Sequence, residues 1–453
     1  MRVLPRLNED VNEEWLSDKS RFAYDGLRNR RLDRPYVRKN GKLQEATWAE
    51  AFAAIAANVK GLQGSQIAAI AGDMACAESM TALKDLMGKL GSANLDCRQD
   101  GAQIDPSNRA GYLFNSGISG IDDADAILIV GSNPRREAAL INTRIRKRYL
   151  TGKVKIALIS SEQPQLTYKY EYLGAGAATL KDIAEGRHAF AEVLKGAQKP
   201  MLILGQGAIA RADGAAVLAL AKQAVDSLGL IKDGWNGFNM LHTAAARVGA
   251  LDLGFVPGQS ADGQGGKDVA GILAGAQAGE IKAVWLLGAD EIDTSKLGSA
   301  FVIYQGSHGD AGAKRADVIL PGAAYVEKDA TWVNTEGRVQ LGRRAAAPPG
   351  DAREDWAIIR AVSEPLGHKL PYDNLGMLRR RMLEVAPHFS GVDKRGTANW
   401  GAFGTAGSVA DAPFASTVSD FYLTNPIARA SATMAECSAI ARGAAQPKTG
   451  THD

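Results

Sequence analysis

With 453 residues, 45% of them hydrophobic and 23% charged, the chain has the composition of an ordinary soluble protein, with room for several domains that each have their own core. A net charge of +3 is too small to imply nucleic acid or an acidic membrane surface as a partner. No apolar run approaches a bilayer span, and the N-terminal MRVLPRLNEDVNEEW lacks the apolar core of a secretory signal, so membrane association is expected only through partners.

Residues 2–38 are polar and arginine-rich, with Trp15, Phe22 and Tyr24 set among alternating charges. That suits either a solvated arm or a partner-facing segment. Thr47 and Glu50 form a capping box, and the helix behind them has Phe52, Ile55, Val59 and Leu62 as its apolar face. Residues 67–72 are a short buried strand. The next helix, 77–90, turns Met80, Leu83, Leu86, Met87 and Leu90 inward, a spacing that makes the methionines core. The polar loop 96–108 offers Cys97 as its only soft ligand; nothing else there completes a soft-metal site, so Cys97 is incidental. Cys76, Cys97 and Cys437 form no CxxC pair, so this chain builds neither an iron–sulfur or zinc site nor a disulfide framework. Each is expected to be a buried small hydrophobe.

Residues 126–130 are a fully apolar strand that runs into Gly131, Ser132 and Asn133 and then a helix over 137–149. Strand, glycine turn and helix start is the usual layout of a nucleotide pocket, because free backbone N–H groups point at the ligand. The pattern is not GxGxxG, but it recurs: 201–204 runs into Gly205-Gln-Gly207, and 284–287 into Gly288-Ala-Asp290. The repetition predicts stacked doubly wound α/β units whose strand ends face common crevices. Arg144, Arg146, Lys147 and Arg148 fit either favourable charge at a helix C-terminus or a docking face. Residues 154–160 predict another strand, and 180–194 and 213–228 amphipathic helices. His188 and His242 stand alone and are structural in expectation. The glycine-rich stretch 254–266 is expected to be a mobile surface loop.

The densest stretch is 304–344, YQGSHGDAGAKRADVILPGAAYVEKDATWVNTEGRVQLGRR. Residues 316–320 predict a buried strand that Pro321-Gly322 ends. Glu327, Lys328 and Asp329 mark a solvent edge, 331–333 is a second strand, and Asn334, Glu336 and Gly337 form a polar turn that Arg338–Gln340 leaves. His308 lies at a strand end between glycines, where a backbone-bonding role is expected ahead of proton transfer. An ordinary surface connection is the plain alternative. Helices over 351–364 and 375–385 follow. Residues 390–416 are mostly small and are expected to lack order. Asn425 caps a terminal helix with Pro426 at its first position, and QPKTGTHD is expected to be disordered.

The segment ADVILPGAAYVEKDATWVNTEGRVQ resembles the signature of the molybdopterin oxidoreductase superfamily. With YQGSHGD ahead of it and PPGDAREDWAIIRAVSE behind it, the chain resembles one branch. That branch is the large iron–sulfur subunit of the proton-pumping NADH:quinone oxidoreductase, respiratory complex I (the 75-kDa subunit of mitochondria and its bacterial counterpart). SDKSRF, the step at Arg31, Leu32, Arg34 and Pro35, GSNPRREAALINTRIRKRYL and the segment from Phe421 to Cys437 extend the resemblance over nearly the whole chain.

The resemblance implies an α/β fold of stacked doubly wound Rossmann-like units, of the formate dehydrogenase/DMSO reductase type. It implies an N-terminal arm over 1–46, remnant of a cluster-proximal region; an α/β region over 47–390 with Rossmann-like units around 66–160 and 200–340; and a C-terminal extension over 391–453. The family's [2Fe–2S] and [4Fe–4S] clusters would be bound by an upstream N-terminal part, which makes this chain a C-terminal portion, with no metal ligand of its own. Gly131, Ser132, Asn133, Gly288, Asp290 and His308 are the candidates for an inherited, vestigial pterin pocket, and no residue is expected to be catalytic. The implied role is scaffold and docking surface for other peripheral-arm subunits, in electron transfer from NADH to quinone. The implied place is the cytoplasmic side of the bacterial inner membrane, or the matrix side if mitochondrial. The alternatives are a working molybdopterin-dependent oxidoreductase of the formate or nitrate type, and a nucleotide-binding module at the strand ends.

Overall fold

The computed structural model describes residues 1–259, 263 and 265–444. Four of the glycine-rich 254–266 residues, 260–262 and 264, lie outside these, as does the QPKTGTHD tail.

Two sheets organise the chain. The larger has seven strands, in the spatial order Lys42–Glu45, Tyr36–Lys39, Val318–Pro321, Phe301–Gly306, Ala283–Leu287, Ile67–Ala71, Asn94–Asp96. The last five run parallel, and the hairpin of the first two is antiparallel to them. The smaller has five strands, Phe238–Met240, Pro200–Leu204, Ala126–Val130, Lys155–Ile159 and Glu171–Gly174, all parallel. The central strands are five-residue apolar runs buried at every position, as parallel strands covered by helices on both faces must be. The larger sheet draws strands from both sides of the smaller one, whose strands all fall between Asn94–Asp96 and Ala283–Leu287. The blocks 66–160 and 200–340 therefore do not each make one unit. Both contribute to both sheets.

The Thr47 capping box forms as its sequence requires. Glu50 N–H donates to Thr47 Oγ1 at 3.2 Å, and Thr47 N–H to the Glu50 carboxylate at 2.8 Å. Thr47→Ala should cost ~1 kcal/mol in urea unfolding, with an unchanged slope against urea. Two helices break where the sequence suggested continuity. The 180–194 helix becomes Ala177–Ala184 and Ala189–Gly196, because Gly186 takes a positive φ of 71° and His188 restarts the helix by accepting the Phe190 N–H at 3.1 Å. The 137–149 helix becomes Pro134–Glu137 and Ala139–Leu150.

The segment 390–416 holds a fixed path without regular structure beyond a short turn of 3₁₀ helix at its start, which corrects the expectation of disorder. It is pinned by spaced anchors rather than by a periodic face. Trp400 Nε1 donates to Asp226 at 2.8 Å, Gly404 N–H to Asp105 at 2.9 Å and Phe414 N–H to Ala175 O at 2.8 Å, while Phe403 and Phe414 are buried.

Candidate functional site

The predicted pocket residues fall into two groups, one at the strand ends of each sheet. On the smaller sheet, Ala126–Val130 ends on Gly131, whose φ of 63° turns the chain and whose Cα faces Ala208 so closely that a Cβ would stand 2.5 Å from its nitrogen. Ser132 Oγ donates to the Glu137 carboxylate at 2.6 Å and Asn133 N–H to the same carboxylate at 3.1 Å. Ser416 Oγ donates to Glu137 as well, at 2.8 Å. Ala415 lies against Gly207, where a Cβ would meet its carbonyl oxygen at 2.2 Å. The 413–416 stretch thus lies across these glycines, and Glu137 already binds the turn's donors. Asn133 lines an open groove of about 910 Å³ beside Trp15, Arg135, Arg136 and Phe421.

On the larger sheet, Gly288, Asp290 and His308 line one cavity of about 60 Å³. Asp290 accepts from Tyr304 OH at 2.7 Å and Gly312 N–H at 2.8 Å; burial pushes its carboxyl up to about 6 despite them. His308 donates Nε2–H to Gly26 O at 2.8 Å and accepts from Ser307 Oγ at 2.8 Å. Desolvation holds its imidazole down to about 4, so the ring is neutral and backbone-bonded at neutral pH. Gly26 in turn packs under the Ile427 carbonyl. Arg429, on the same C-terminal segment, donates to Glu291 and to Asp310, each at 2.6 Å. The segment continues into Asn425–Ala430, where Asn425 caps and Pro426 opens the helix, and then into Ala432–Ala441, which Asp25 helps to cap through Ser431 and Thr433. One C-terminal strap therefore crosses the strand ends of both sheets.

What sequence reasoning missed is a set of buried ionic ties. Glu327 and Lys328 do not mark a solvent edge. Each is 5% exposed, and of that trio only Asp329 is out. Glu327 takes a bidentate pair from Arg31 at 2.6 Å each and accepts the Ala324 N–H; Lys328 Nζ sits 2.6 Å from Asp355 Oδ2. Glu336 pairs with Arg338 at 2.7 Å and accepts the Ile118 N–H, and Arg338 reaches Asp10 at 3.0 Å. The basic helix end is also an internal clamp: Arg144 bonds Glu13 and the backbone of Glu9 and Asp10, and Arg148 the Ala124 carbonyl. Arg146 remains exposed. The density of polar residues over 304–344 is the signal that was available; their partners lie too far off in sequence to be named from it.

The molybdopterin oxidoreductase profile matches residues 31–365. The chain belongs to the molybdopterin oxidoreductase family. Profiles of the C-terminal region of the NADH-ubiquinone oxidoreductase G subunit and of the NDSU1/NuoG-like 4Fe-4S domain match residues 395–437 and 1–25. Among curated relatives, the mitochondrial NADH dehydrogenase [ubiquinone] iron-sulfur protein 1 of Solanum tuberosum is 43% identical over 97% of this chain and 58% of its own length. The NADH-quinone oxidoreductase G subunit of Rickettsia bellii is 42% identical over 96% of this chain and 62% of its own. The chain thus spans about three fifths of these relatives. Two solved structures share the fold. Acetylene hydratase from Pelobacter acetylenicus has a TM-score of 0.53 at 11% identity, covering 82% of this chain and 66% of that one. The formyltransferase/hydrolase complex of Methylorubrum extorquens has 0.52 at 19%, covering 73% and 98%. The α/β fold of molybdopterin-oxidoreductase type expected above is the one observed.

The family implies a pterin dinucleotide, and the residues here do not fit one. A ligand pocket commonly runs to roughly 300–1,000 Å³, while the cavity at Asp290 has about 60 Å³. At the Gly131 turn, the Glu137 carboxylate holds the donors that a phosphate would need and repels its charge. Cys97 is no better as a metal ligand: burial pushes its thiol up to about 12, which keeps it protonated. Among the described residues no group of three or more His, Cys, Asp or Glu is placed to hold a metal. Residues 1–25, matched by the 4Fe-4S profile, contain no cysteine. Cys76 and Cys97 are buried, and Cys437 is only half-buried, a partial departure from the expected core position.

Proposed function

We propose that this chain serves in the large iron–sulfur subunit of a proton-pumping NADH:quinone oxidoreductase, respiratory complex I, as a structural scaffold of the peripheral arm. The observation that carries the reading is the 42–43% identity to subunits of that enzyme across almost the whole chain, C-terminal profile included. The geometry is in keeping with it. Strand-end crevices that could take a cofactor are closed by the chain's own carboxylates and C-terminal strap, and buried ion pairs lock the units together. The [2Fe–2S] and [4Fe–4S] clusters of the enzyme would be held outside the residues present here. Partners would be other peripheral-arm subunits, with no nucleic acid. No helix among the described residues is long and apolar enough to cross a membrane; attachment would run through those partners, on the cytoplasmic or matrix face of the inner membrane. Residues 1–46 would adjoin the cluster-bearing part, 47–390 form the α/β body, and 391–453 the strap and tail.

The test is to solubilise native membranes gently, separate them on a native gel and probe with an antibody to this chain. The expected signal migrates with a large assembly that oxidises NADH and yields no pterin dinucleotide bound to this chain. A free 47.9 kDa band would overturn the subunit reading. Molybdenum and pterin in that band would instead favour a molybdopterin-dependent oxidoreductase of the formate or nitrate type.

A further inference from the structure

Between the two sheets the chain buries a second polar set that neither crevice uses. Arg247, which opens the helix Arg247–Asp252, is 1% exposed. Its Nη2 donates to Asp100 Oδ1 at 2.9 Å, and its Nε and Nη1 meet no partner. Gln206, just past Pro200–Leu204, is 0% exposed; its amide donates to Leu241 O at 2.7 Å and its Oε1 meets nothing. Gln99 donates to Glu291 at 2.7 Å and leaves its own Oε1 unpaired. Asp73 Oδ1, two residues past Ile67–Ala71, and Asp100 Oδ2 complete the set. His242 closes one side, with Nε2 donating to Tyr112 O at 2.7 Å and Nδ1 3.5 Å from the Gln206 amide.

Six unpaired polar atoms, two donors and four acceptors, thus converge from both sheets. Buried groups of this kind are hydrogen-bonded in folded proteins with few exceptions. Left dry, the six together would erode a large part of a fold's margin of stability. The occupant that satisfies them is defined by its chemistry. An anion would suit Arg247 but face four carboxylate and amide oxygens. A cation would suit those oxygens but face the guanidinium. The occupant must be neutral, small, and both donor and acceptor.

We infer that the seam between the two sheets is a binding site for a cluster of water molecules, which bridges Arg247 to Asp73, Gln99 and Gln206 and reaches solvent at Asp100. The way out exists: Asp100 lines a surface cleft of about 260 Å³ with Asp96, Arg98 and Arg211. Buried waters make about three hydrogen bonds each, and the supply of unpaired atoms here matches such a cluster. Burial, partly offset by Arg247, pushes the Asp73 carboxyl up to about 7, so that group can act as a further donor to the cluster.

The test is a structure of the protein, alone or within its native assembly, at a resolution that shows ordered water, joined to anomalous maps from bromide-soaked and rubidium-soaked crystals. The expected result is discrete water density within hydrogen-bond distance of Arg247 Nε and Nη1 and of Gln206 Oε1, with no bromide or rubidium peak. A bromide peak would make this an anion site, and a rubidium peak a cation site; either overturns the inference. So does a guanidinium that pairs directly with Asp73 with nothing between. Gln206→Leu should lose the density at residue 206 while that at Arg247 stays. Should that variant not fold, Gln99→Leu makes the same test from the other side of the seam.

Discussion

Lys328→Met should lower the stability of the protein by ~3–5 kcal/mol, although it takes a charge out of the core. Lys328 and Asp355 are each buried to within a few percent of complete, with Nζ and Oδ2 2.6 Å apart. Gln305 Nε2 adds a bond to Asp355 Oδ1 at 3.1 Å. Desolvation alone would discharge the amine; Asp355 beside it outweighs burial and holds its pKa above the ordinary lysine value. The pair therefore enters the folded state charged. Methionine fills the lysine's volume but leaves the Asp355 carboxylate buried with amide partners only, and an uncompensated buried charge is the costly outcome. The double variant Lys328→Met/Asp355→Leu should recover most of the loss, since two apolar groups satisfy the site without desolvating ions. Urea unfolding of wild type, both single variants and the double closes the cycle. A single-variant loss under 1 kcal/mol would mean that water reaches Asp355 and that the pair is not buried in solution.

This same pair shows where sequence reading reaches its limit. The strands 126–130, 200–204 and 283–287 are legible because a five-residue apolar run bounded by glycine has few alternatives. The pocket candidates were legible for the same reason: glycine and short polar residues follow each run. The burial of Glu327 and Lys328 was not. Charged residues after a turn are usually solvated, and what buries these two is Arg31, 296 positions from Glu327, and Asp355, 27 from Lys328. Sheet order failed to show for a related reason. The hairpin of Tyr36–Lys39 and Lys42–Glu45 joins the far strand Val318–Pro321, and no local pattern records that pairing. The strap fared worst. Its anchors at Trp400, Phe403, Phe414, Ser416 and Arg429 follow the surface they cross, so they show neither a helical nor a strand period and read as low-order sequence.

Asp252→Asn should cost a further ~3–5 kcal/mol at neutral pH and change how the protein responds to acid. The Asp252 side chain is 0% exposed. It accepts from Arg109 Nε at 2.8 Å and Nη2 at 2.9 Å, from Tyr112 OH at 2.9 Å, and from His388 Nε2 at 3.0 Å. One carboxylate thus ties helix Arg247–Asp252 to the loop at Arg109 and to the turn at His388. Desolvation pushes its pKa up, but Arg109 and His388 outweigh it, so the folded pKa lies below the ordinary aspartate value. The sign follows. The unfolded group titrates near about 4, so its contribution is full above that pH and is lost as pH falls through the lower folded value. Wild type should lose stability between pH 5 and pH 3 more steeply than Asp252→Asn, whose side chain does not titrate. Urea midpoints measured at half-unit steps across that range decide it. Parallel curves for the two proteins would mean that Asp252 titrates alike in both states and that the four-donor site does not form. A neutral-pH loss without the acid difference would place the cost in packing rather than in charge.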